Sequence, residues 1–135
     1  MKRRIFTALL GAAITPAPFV QAQPRIKQAR IGFIEPGTRE ANGQFLTSFR
    51  TGMAARGWIE GQNLTILDRW VENRPERLPQ IVAGLLADKV DVLVAGGTIV
   101  TKATLLAAPG VPIVMVGVSD PLSSGFAQSL ARPGG

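Results

Sequence analysis

The sequence contains neither cysteine nor histidine, and charged residues make up only 18% of its 135 residues. The absence of cysteine excludes disulfides and thiolate chemistry, and leaves no N-terminal site for lipid attachment. Without histidine the chain lacks the most common general base and the Ser-His-Asp and Cys-His catalytic arrangements. Zinc sites built from cysteine and histidine are excluded as well. Hydrophobic residues make up 46% of the chain, which is typical of one modest folded domain.

The positive charge of the chain does not predict a nucleic-acid partner. The net charge is +6, but Lys2, Arg3 and Arg4 supply three of the fifteen positive charges, and no basic stripe with interleaved aromatic residues follows. The sequence also lacks the Gly-x-Gly-x-x-Gly pattern of dinucleotide sites and the Gly-Lys-Ser/Thr pattern of phosphate-binding loops. We therefore predict no cofactor, no metal site and no catalytic residue.

The first 22 residues have the organisation of an export signal. A basic run at Lys2–Arg4 precedes a mostly apolar stretch from Ile5 to Val20, and the residues that follow place cleavage after Ala22. The stretch is too short for a comfortable membrane span and has no charged face, as an amphipathic helix would. Arg3–Phe6 also fits a twin-arginine signal, so the general and twin-arginine routes both stay open. We expect a signal peptide at 1–22 and a periplasmic protein.

Strands and helices alternate along residues 23–135. Apolar runs predict strands at Arg30–Ile34, Leu64–Trp70, Val90–Ala95 and Pro112–Val118. Helical spacing predicts helices at Asn42–Arg56, Arg74–Lys89 and Thr98–Ala108, and a further short one at Gly125–Leu130. Such alternation predicts an α/β fold, a doubly wound parallel sheet with helices on both faces. Locally, we expect an edge position for the second strand, a left-handed Gly57 and an N-cap at Thr98.

Ligands of such sheets bind at the carboxyl ends of the strands, where the loops into the helices meet. The free N–H groups at Gly97 and Thr98 suit a carboxylate or phosphate, although a simple helix start would look the same. Asp120 suits an ammonium or hydroxyl, or else begins a local turn before Pro121. The predicted ligand-binding residues are Gly37, Thr38, Gly97, Thr98, Ser119 and Asp120.

Other conspicuous residues are expected to be structural. Trp58 and Trp70 flank predicted elements, where packing is the favoured role. Arg69, Arg74 and Arg77 alternate with acidic residues and predict a solvated rim rather than an anion site.

Three segments resemble a known family. They are Gly57–Leu64 (Gly-Trp-Ile-Glu-Gly-Gln-Asn-Leu), Arg74–Pro79 (Arg-Pro-Glu-Arg-Leu-Pro) and the closing Ser129–Gly135. The chain from about Arg30 onward resembles substrate-binding proteins of ABC transporters, of the tryptophan/tyrosine-binding type. The resemblance implies a periplasmic-binding-protein fold of type I with flavodoxin-like strand order. It also implies capture of a small organic solute, such as an amino acid, for a membrane permease. Thr98 would then receive the carboxylate of an amino acid and Asp120 its ammonium.

The sequence departs from this family at its end. Family members continue with Asn-Val-Thr-Gly and a second lobe, whereas this sequence stops at Gly135. We therefore expect residues 23–135 to form one N-terminal lobe, which offers half of a binding cleft. Three alternatives stay open at this point: a non-functional remnant, the ligand-sensing domain of a regulator, and an enzyme that uses Asp120 with a metal. The lack of a catalytic motif favours solute binding over an enzyme.

Overall fold

A computed structural model of the chain describes residues 27–132 and residue 134. The predicted export signal at 1–22 lies outside the described residues. Four strands and three α-helices alternate within them, in the order β1, α1, β2, α2, β3, α3, β4. The strands are β1 Ala29–Glu35, β2 Leu64–Trp70, β3 Val92–Gly96 and β4 Ile113–Val116. The helices are α1 Arg39–Ala54, α2 Leu78–Ala87 and α3 Gly97–Ala107, and a 3-10 helix at Pro75–Arg77 leads into α2.

The four strands form one parallel sheet in the order β2-β1-β3-β4. This order confirms the predicted doubly wound α/β class and its flavodoxin-like arrangement. It also confirms the edge position of β2, whose apolar residues alternate only imperfectly. Because every strand runs the same way, the loops after β1, β3 and β4 emerge at one edge of the sheet.

Two apolar cores cover the two faces of the sheet. One packs α2 and α3 against the sheet and includes Ile34, Leu85 and Leu93, all with no exposed surface. The other packs α1 against the opposite face through Leu46, with Phe33 and Ile66 on the strands. Trp58 and Trp70 pack on the α1 side, as expected of structural aromatic residues. The predicted arrangement of helices on both faces is therefore present.

Several element boundaries differ from the predictions, each for a local reason. Helix α1 begins at Arg39, three residues earlier than predicted, because the Thr38 hydroxyl accepts a hydrogen bond from the N–H of Ala41 and caps the helix. The chain leaves α1 through Gly57, whose positive φ of 84° confirms the predicted left-handed residue.

The predicted short helix at Gly125–Leu130 is wrong. The carboxylate of Asp120 accepts hydrogen bonds from the N–H groups of Leu122 and Ser123, and Gly125 has φ 72°. These features close a run of turns, and a left-handed residue ends any helical continuation. No helix among residues 27–132 is long and apolar enough to cross a membrane.

Candidate functional site

A cleft of about 420 Å³ opens at the carboxyl edge of the sheet, between α1 and the ends of β1, β3 and β4. It lies at the edge where the sequence predicts ligand binding. Its lining residues are Phe33, Glu35, Pro36, Asn42, Phe45, Ser48, Phe49, Val94, Gly96, Gly97, Val116 and Gly117.

The cleft exists because α1 covers only part of its face of the sheet. Phe33, Val94 and Val114 lie side by side on neighbouring strands, as the strand register requires. Phe33 and Val94 are buried, whereas Val114 and Val116 on β4 are about half exposed. The uncovered part of β4 thus forms one side of the cleft and helix α1 the other.

Aromatic rings line the α1 side of the cleft. The Phe33 and Phe49 rings lie 5.4 Å apart between centroids, with a tilt of 40° between their planes, a geometry common for packed aromatic pairs. Phe45 precedes Phe49 by one helical turn and is 51% exposed. A large apolar side chain that lines a cleft and stays half exposed is suited to contact a ligand.

Glu35 is the acidic residue among those that line the cleft. It ends β1, retains only 7% of its surface exposed, and its Oε2 accepts a hydrogen bond of 3.4 Å from the Asn42 side-chain amide. Burial raises the pKa of Glu35 above its ordinary value of 4.5, while the hydrogen bond from Asn42 opposes the shift. Removal of a carboxylate from water disfavours its charged form, and the apolar surroundings explain the direction.

Two glycines make room for this pair of polar side chains. A Cβ on Gly96 would lie 2.4 Å from Oε1 of Glu35, and a Cβ on Gly37 would lie 2.8 Å from the amide nitrogen of Asn42. Contacts this short do not occur between real atoms, so an alanine at either position would displace the side chain that it meets. Gly37, predicted as a ligand contact, is buried under Asn42 and is not among the residues that line the cleft.

Helix α3 begins directly at the cleft, and its start differs from the prediction. Gly96 is the N-cap and Gly97 the first helical residue, with φ 75°, so the prediction of Thr98 as N-cap is wrong. A glycine that tolerates a positive φ lets the chain turn from β3 into α3 without a connecting loop. No side chain caps this helix start, and its first N–H groups can therefore receive a hydrogen-bond acceptor from a ligand.

The remaining predicted residues are not among those that line the cleft. Thr38 caps α1, and Thr98 is the second residue of α3. Ser119 and Asp120 are exposed and follow β4. Both hydrogen bonds to the Asp120 carboxylate end on Oδ1, and they lower its pKa because they favour the charged form. Of the six predicted residues, only Gly97 lines the cleft.

Several charged residues away from the cleft form ion pairs with one another. Glu72 pairs with both Arg74 and Arg77, and Arg69 pairs with Asp88. These three arginines are therefore engaged, in line with the expected solvated rim. Within the described ranges, no cluster of acidic side chains has the arrangement of a metal site.

Sequence reasoning missed the residues that give the cleft its polarity and its aromatic side. The predicted strand Arg30–Ile34 ends one residue before Glu35, and the predicted helix Asn42–Arg56 contains Asn42 and Phe45 with no role at a ligand. One indication was available: a Glu at the end of an apolar strand lies at the ligand-binding edge of a parallel sheet. The spacing of Asn42, Phe45 and Phe49 on one face of α1 is a second indication.

The chain is similar in sequence and in structure to known binding proteins. A curated "Tyrosine-binding protein" of Clostridioides difficile is 28% identical over 109 residues, which cover 81% of this chain and 32% of that protein. The ligand-free, open structure of a substrate-binding protein with adhesive properties from Clostridium difficile is also similar. It is 26% identical, with a TM-score of 0.71 over 78% of this chain and 36% of that one.

A third similarity concerns the fold alone. The structure of an ABC domain from Streptococcus pneumonia in complex with L-Trp has a TM-score of 0.73 at 20% identity, over 81% of this chain and 37% of that one. The chain therefore spans about a third of the length of each of these relatives.

The family model "ABC transporter substrate binding protein" matches residues 33–135. Substrate-binding proteins of ABC transporters bind small solutes and work with a membrane permease. The matched segment includes the ends of β1, β3 and β4, the start of α3 and helix α1, and thus every element that builds the cleft. The chain belongs to the ABC transporter substrate-binding protein family.

Proposed function

We propose that this chain is the solute-binding component of an ABC uptake transporter, or one lobe of it, and that it binds a small organic solute of the amino-acid type in the cleft between α1 and β4. The observation that carries the proposal is the cleft itself. It combines apolar and aromatic lining, one buried carboxylate and an uncapped helix start at the carboxyl edge of a parallel sheet. Membership of a family of solute-binding proteins supports the same role.

The cleft offers each part of an amino acid a suitable neighbour. A ring or other apolar side chain would pack against Phe45 and Phe49. The α-carboxylate would accept hydrogen bonds from the N–H groups of Gly97 and Thr98 at the start of α3. Gly37 and Thr38 would hold the loop that leads into α1, and Ser119 and Asp120 would border the cleft beyond β4. The tyrosine-binding relative and the neighbour with bound L-Trp support an aromatic amino acid as the first solute to test.

Non-covalent binding rather than catalysis fits this arrangement. The related proteins are binding proteins, and the described residues include no group of acidic side chains that could hold a metal ion. We further propose that residues 1–22 direct export to the periplasm, that 23–135 form an α/β lobe, and that a membrane permease receives the solute. Intact mass measured on protein from a periplasmic extract tests the proposed cleavage after Ala22.

Substitution of Phe45 by alanine tests the cleft as the binding site. We expect the purified chain to bind L-tyrosine or L-tryptophan in a calorimetric titration, and F45A to weaken this binding about two- to tenfold, because it removes an aromatic contact worth roughly 0.5–1.5 kcal/mol. Phe45 is half exposed, so the loss of its ring should leave the core intact.

Leu106 provides the matched control. It is an exposed apolar residue on α3 that does not line the cleft, and L106A should bind with wild-type affinity. Equal losses in F45A and L106A, or wild-type affinity in both, would place the binding site elsewhere. A wild-type chain that binds no member of a panel of the twenty amino acids would contradict the amino-acid proposal.

A further inference from the structure

We propose that Glu35 binds the positively charged nitrogen of the solute, so that the cleft selects ring-bearing amines over the same compounds without an amine. The inference rests on the proposed function, because it assumes that the solute occupies the cleft next to Phe45. It adds the group that recognises the solute and the chemical class that this group selects.

The first argument is that Glu35 is a buried carboxylate without a cation. It is more than nine-tenths buried, and its one hydrogen bond from a side chain is the 3.4 Å contact between Oε2 and the neutral amide of Asn42. None of the ion pairs formed within residues 27–132 includes Glu35. A buried carboxylate that lacks a positive partner favours a ligand that supplies one.

The second argument is that the free oxygen of Glu35 faces the cleft. At the end of the sheet the register places Glu35 beside Trp70 on one side and next to Gly96 on the other, with Val116 beyond. A Cβ on Gly96 would lie 2.4 Å from Oε1, so this oxygen lies directly against the Gly96 backbone. Glu35, Gly96 and Val116 all line the cleft, and a small cationic group bound at this end of the cleft would contact Oε1.

The third argument is that the start of α3 lies beside this carboxylate. Gly96 caps the helix and contacts Glu35, so the uncapped N–H groups of α3 and the Glu35 oxygen adjoin one another. An α-amino acid carries its ammonium and its carboxylate on one carbon atom. It would place the ammonium at Glu35 and the carboxylate at the helix start, and each charge would meet its complement.

The other acidic residue near this edge is less suited to the role. Asp120 is exposed, and its Oδ1 already accepts hydrogen bonds from the backbone of Leu122 and Ser123. Those two bonds hold the turn after β4. Glu35 has the buried surroundings that strengthen an ion pair with a ligand, whereas water screens Asp120.

Calorimetric titrations with three related compounds test the proposal. The compounds are L-tyrosine, tyramine, which keeps the amine and lacks the carboxylate, and 3-(4-hydroxyphenyl)propionate, which lacks the amine. We expect the wild-type chain at neutral pH to bind the two amines at least tenfold more tightly than the acid, which matches a charge-assisted hydrogen bond of roughly 1.5–3 kcal/mol. Glu35→Gln should lose this preference and leave binding of the acid unchanged or improved.

Three further variants complete the design. Glu60→Gln removes an acidic group that pairs with Arg50 near the start of β2, at the opposite end of the strands from the cleft. This variant should keep the wild-type preference for amines. Gly96→Ala displaces the Glu35 carboxylate without removing it, and it should weaken amine binding even if E35Q folds poorly. Asp120→Asn tests the competing acidic residue.

The outcomes separate the two proposals. Loss of the preference for amines in D120N but not in E35Q, or equal affinity of the wild-type chain for tyramine and the propionate, overturns the role of Glu35 and leaves the proposed solute binding intact. Failure of the wild-type chain to bind any of the three compounds or any amino acid overturns the proposed function, and the inference with it.

Discussion

Glu35 and Gly96 show how two residues far apart in the sequence determine one local environment. Glu35 ends β1 and Gly96 ends β3, and the parallel register brings them together. The glycine provides the space and the glutamate fills part of it with a buried carboxylate. The glutamate is more costly to ionise in the folded protein than in the unfolded chain, because only the folded state buries it.

This burial predicts a pH-dependent effect of Glu35→Gln on stability. The pKa of Glu35 in the folded protein is raised above 4.5, so the unfolded chain releases this proton at lower pH than the folded protein. The contribution of Glu35 to the stability of the wild-type chain therefore decreases as pH rises from about that value through the folded pKa, and then levels off. We expect the melting temperature of ligand-free E35Q to approach that of wild type in the acidic range and to exceed it at neutral pH, as measured by circular dichroism.

A second variant checks the cause of this effect. The hydrogen bond from Asn42 favours the charged form of Glu35, so Asn42→Ala should move the decline in stability to higher pH. Because the variants share all other acidic groups, the difference in melting temperature between each variant and wild type, plotted against pH, reports the titration of Glu35. A constant difference between E35Q and wild type across the pH range would contradict the raised pKa.

The sequence around Glu35 does not predict that its side chain is buried. It stands before Pro36-Gly37, a pattern that predicts a turn and hence an exposed side chain. Its burial depends on α1 and on Gly96, which no local pattern connects to it. The turn at Asp120, in contrast, follows from local chemistry. An Asp before Pro is a common turn-starting residue, and the Asp120 carboxylate accepts hydrogen bonds from the N–H groups of Leu122 and Ser123.

At the scale of elements, the continuous apolar strands were the most predictable feature. β2 has the predicted bounds, and the ends of β3 and β4 differ from the predicted ends by at most two residues. Buried parallel strands are continuous apolar runs, and the polar residues that flank such a run mark where the strand ends. Helix ends were less predictable. The Gly96-Gly97 pair predicts a loop before a cap at Thr98, yet the pair itself forms the junction. The helix starts earlier than a capping pattern indicates, because glycine can adopt the required positive φ.

Two glycines with open space around them should respond to alanine in opposite directions. A Cβ on Gly84, inside α2, or on Gly57, after α1, would meet nothing within 4 Å. Gly84→Ala should raise the free energy of unfolding by about 0.5–1 kcal/mol, because alanine favours a helix interior. Gly57→Ala should lower it by about 1–2 kcal/mol, because its φ is 84°. Denaturant unfolding of both variants measures the difference, and changes of equal sign would contradict the assigned conformations.

At the scale of the whole molecule, β4 leaves one edge of the described sheet open. Val114 and Val116 are about half exposed there, and an exposed apolar edge strand offers its backbone to another chain. The opposite edge, β2, presents Thr65 and charged residues instead. The two edges therefore differ in their tendency to associate.

Substitution of Val114 by lysine should reduce self-association of the 135-residue chain. A lysine on an edge strand must be desolvated before another strand can pair, which disfavours edge-to-edge contact. Sedimentation velocity over a range of concentrations should show V114K closer to a monomer than wild type. Thr65→Lys adds the same charge at the other edge and should behave as wild type. A wild-type chain that stays monomeric at all concentrations would contradict the prediction.

The alternation of strands and helices in the sequence predicts the fold as a whole, but it does not predict which residues line the cleft. Alternating strands and helices predict a doubly wound sheet and the edge at which a ligand binds. The cleft depends in addition on how far α1 extends across β4, which is a matter of packing between elements. For that reason the sequence predicts the edge of the sheet at which the cleft opens, while Gly97 alone among the six predicted residues lines the cleft.

The central position of β1 has a consequence for the order in which the molecule can form. Among the described strands β1 is the first to be synthesised, and its neighbours on the two sides begin at Leu64 and Val92. A growing chain therefore carries this central strand without both of its partners until Gly96 has emerged. Glu35 and Gly96 can meet at that moment, whereas the side of the cleft that Val116 and Gly117 form is added only when β4 follows.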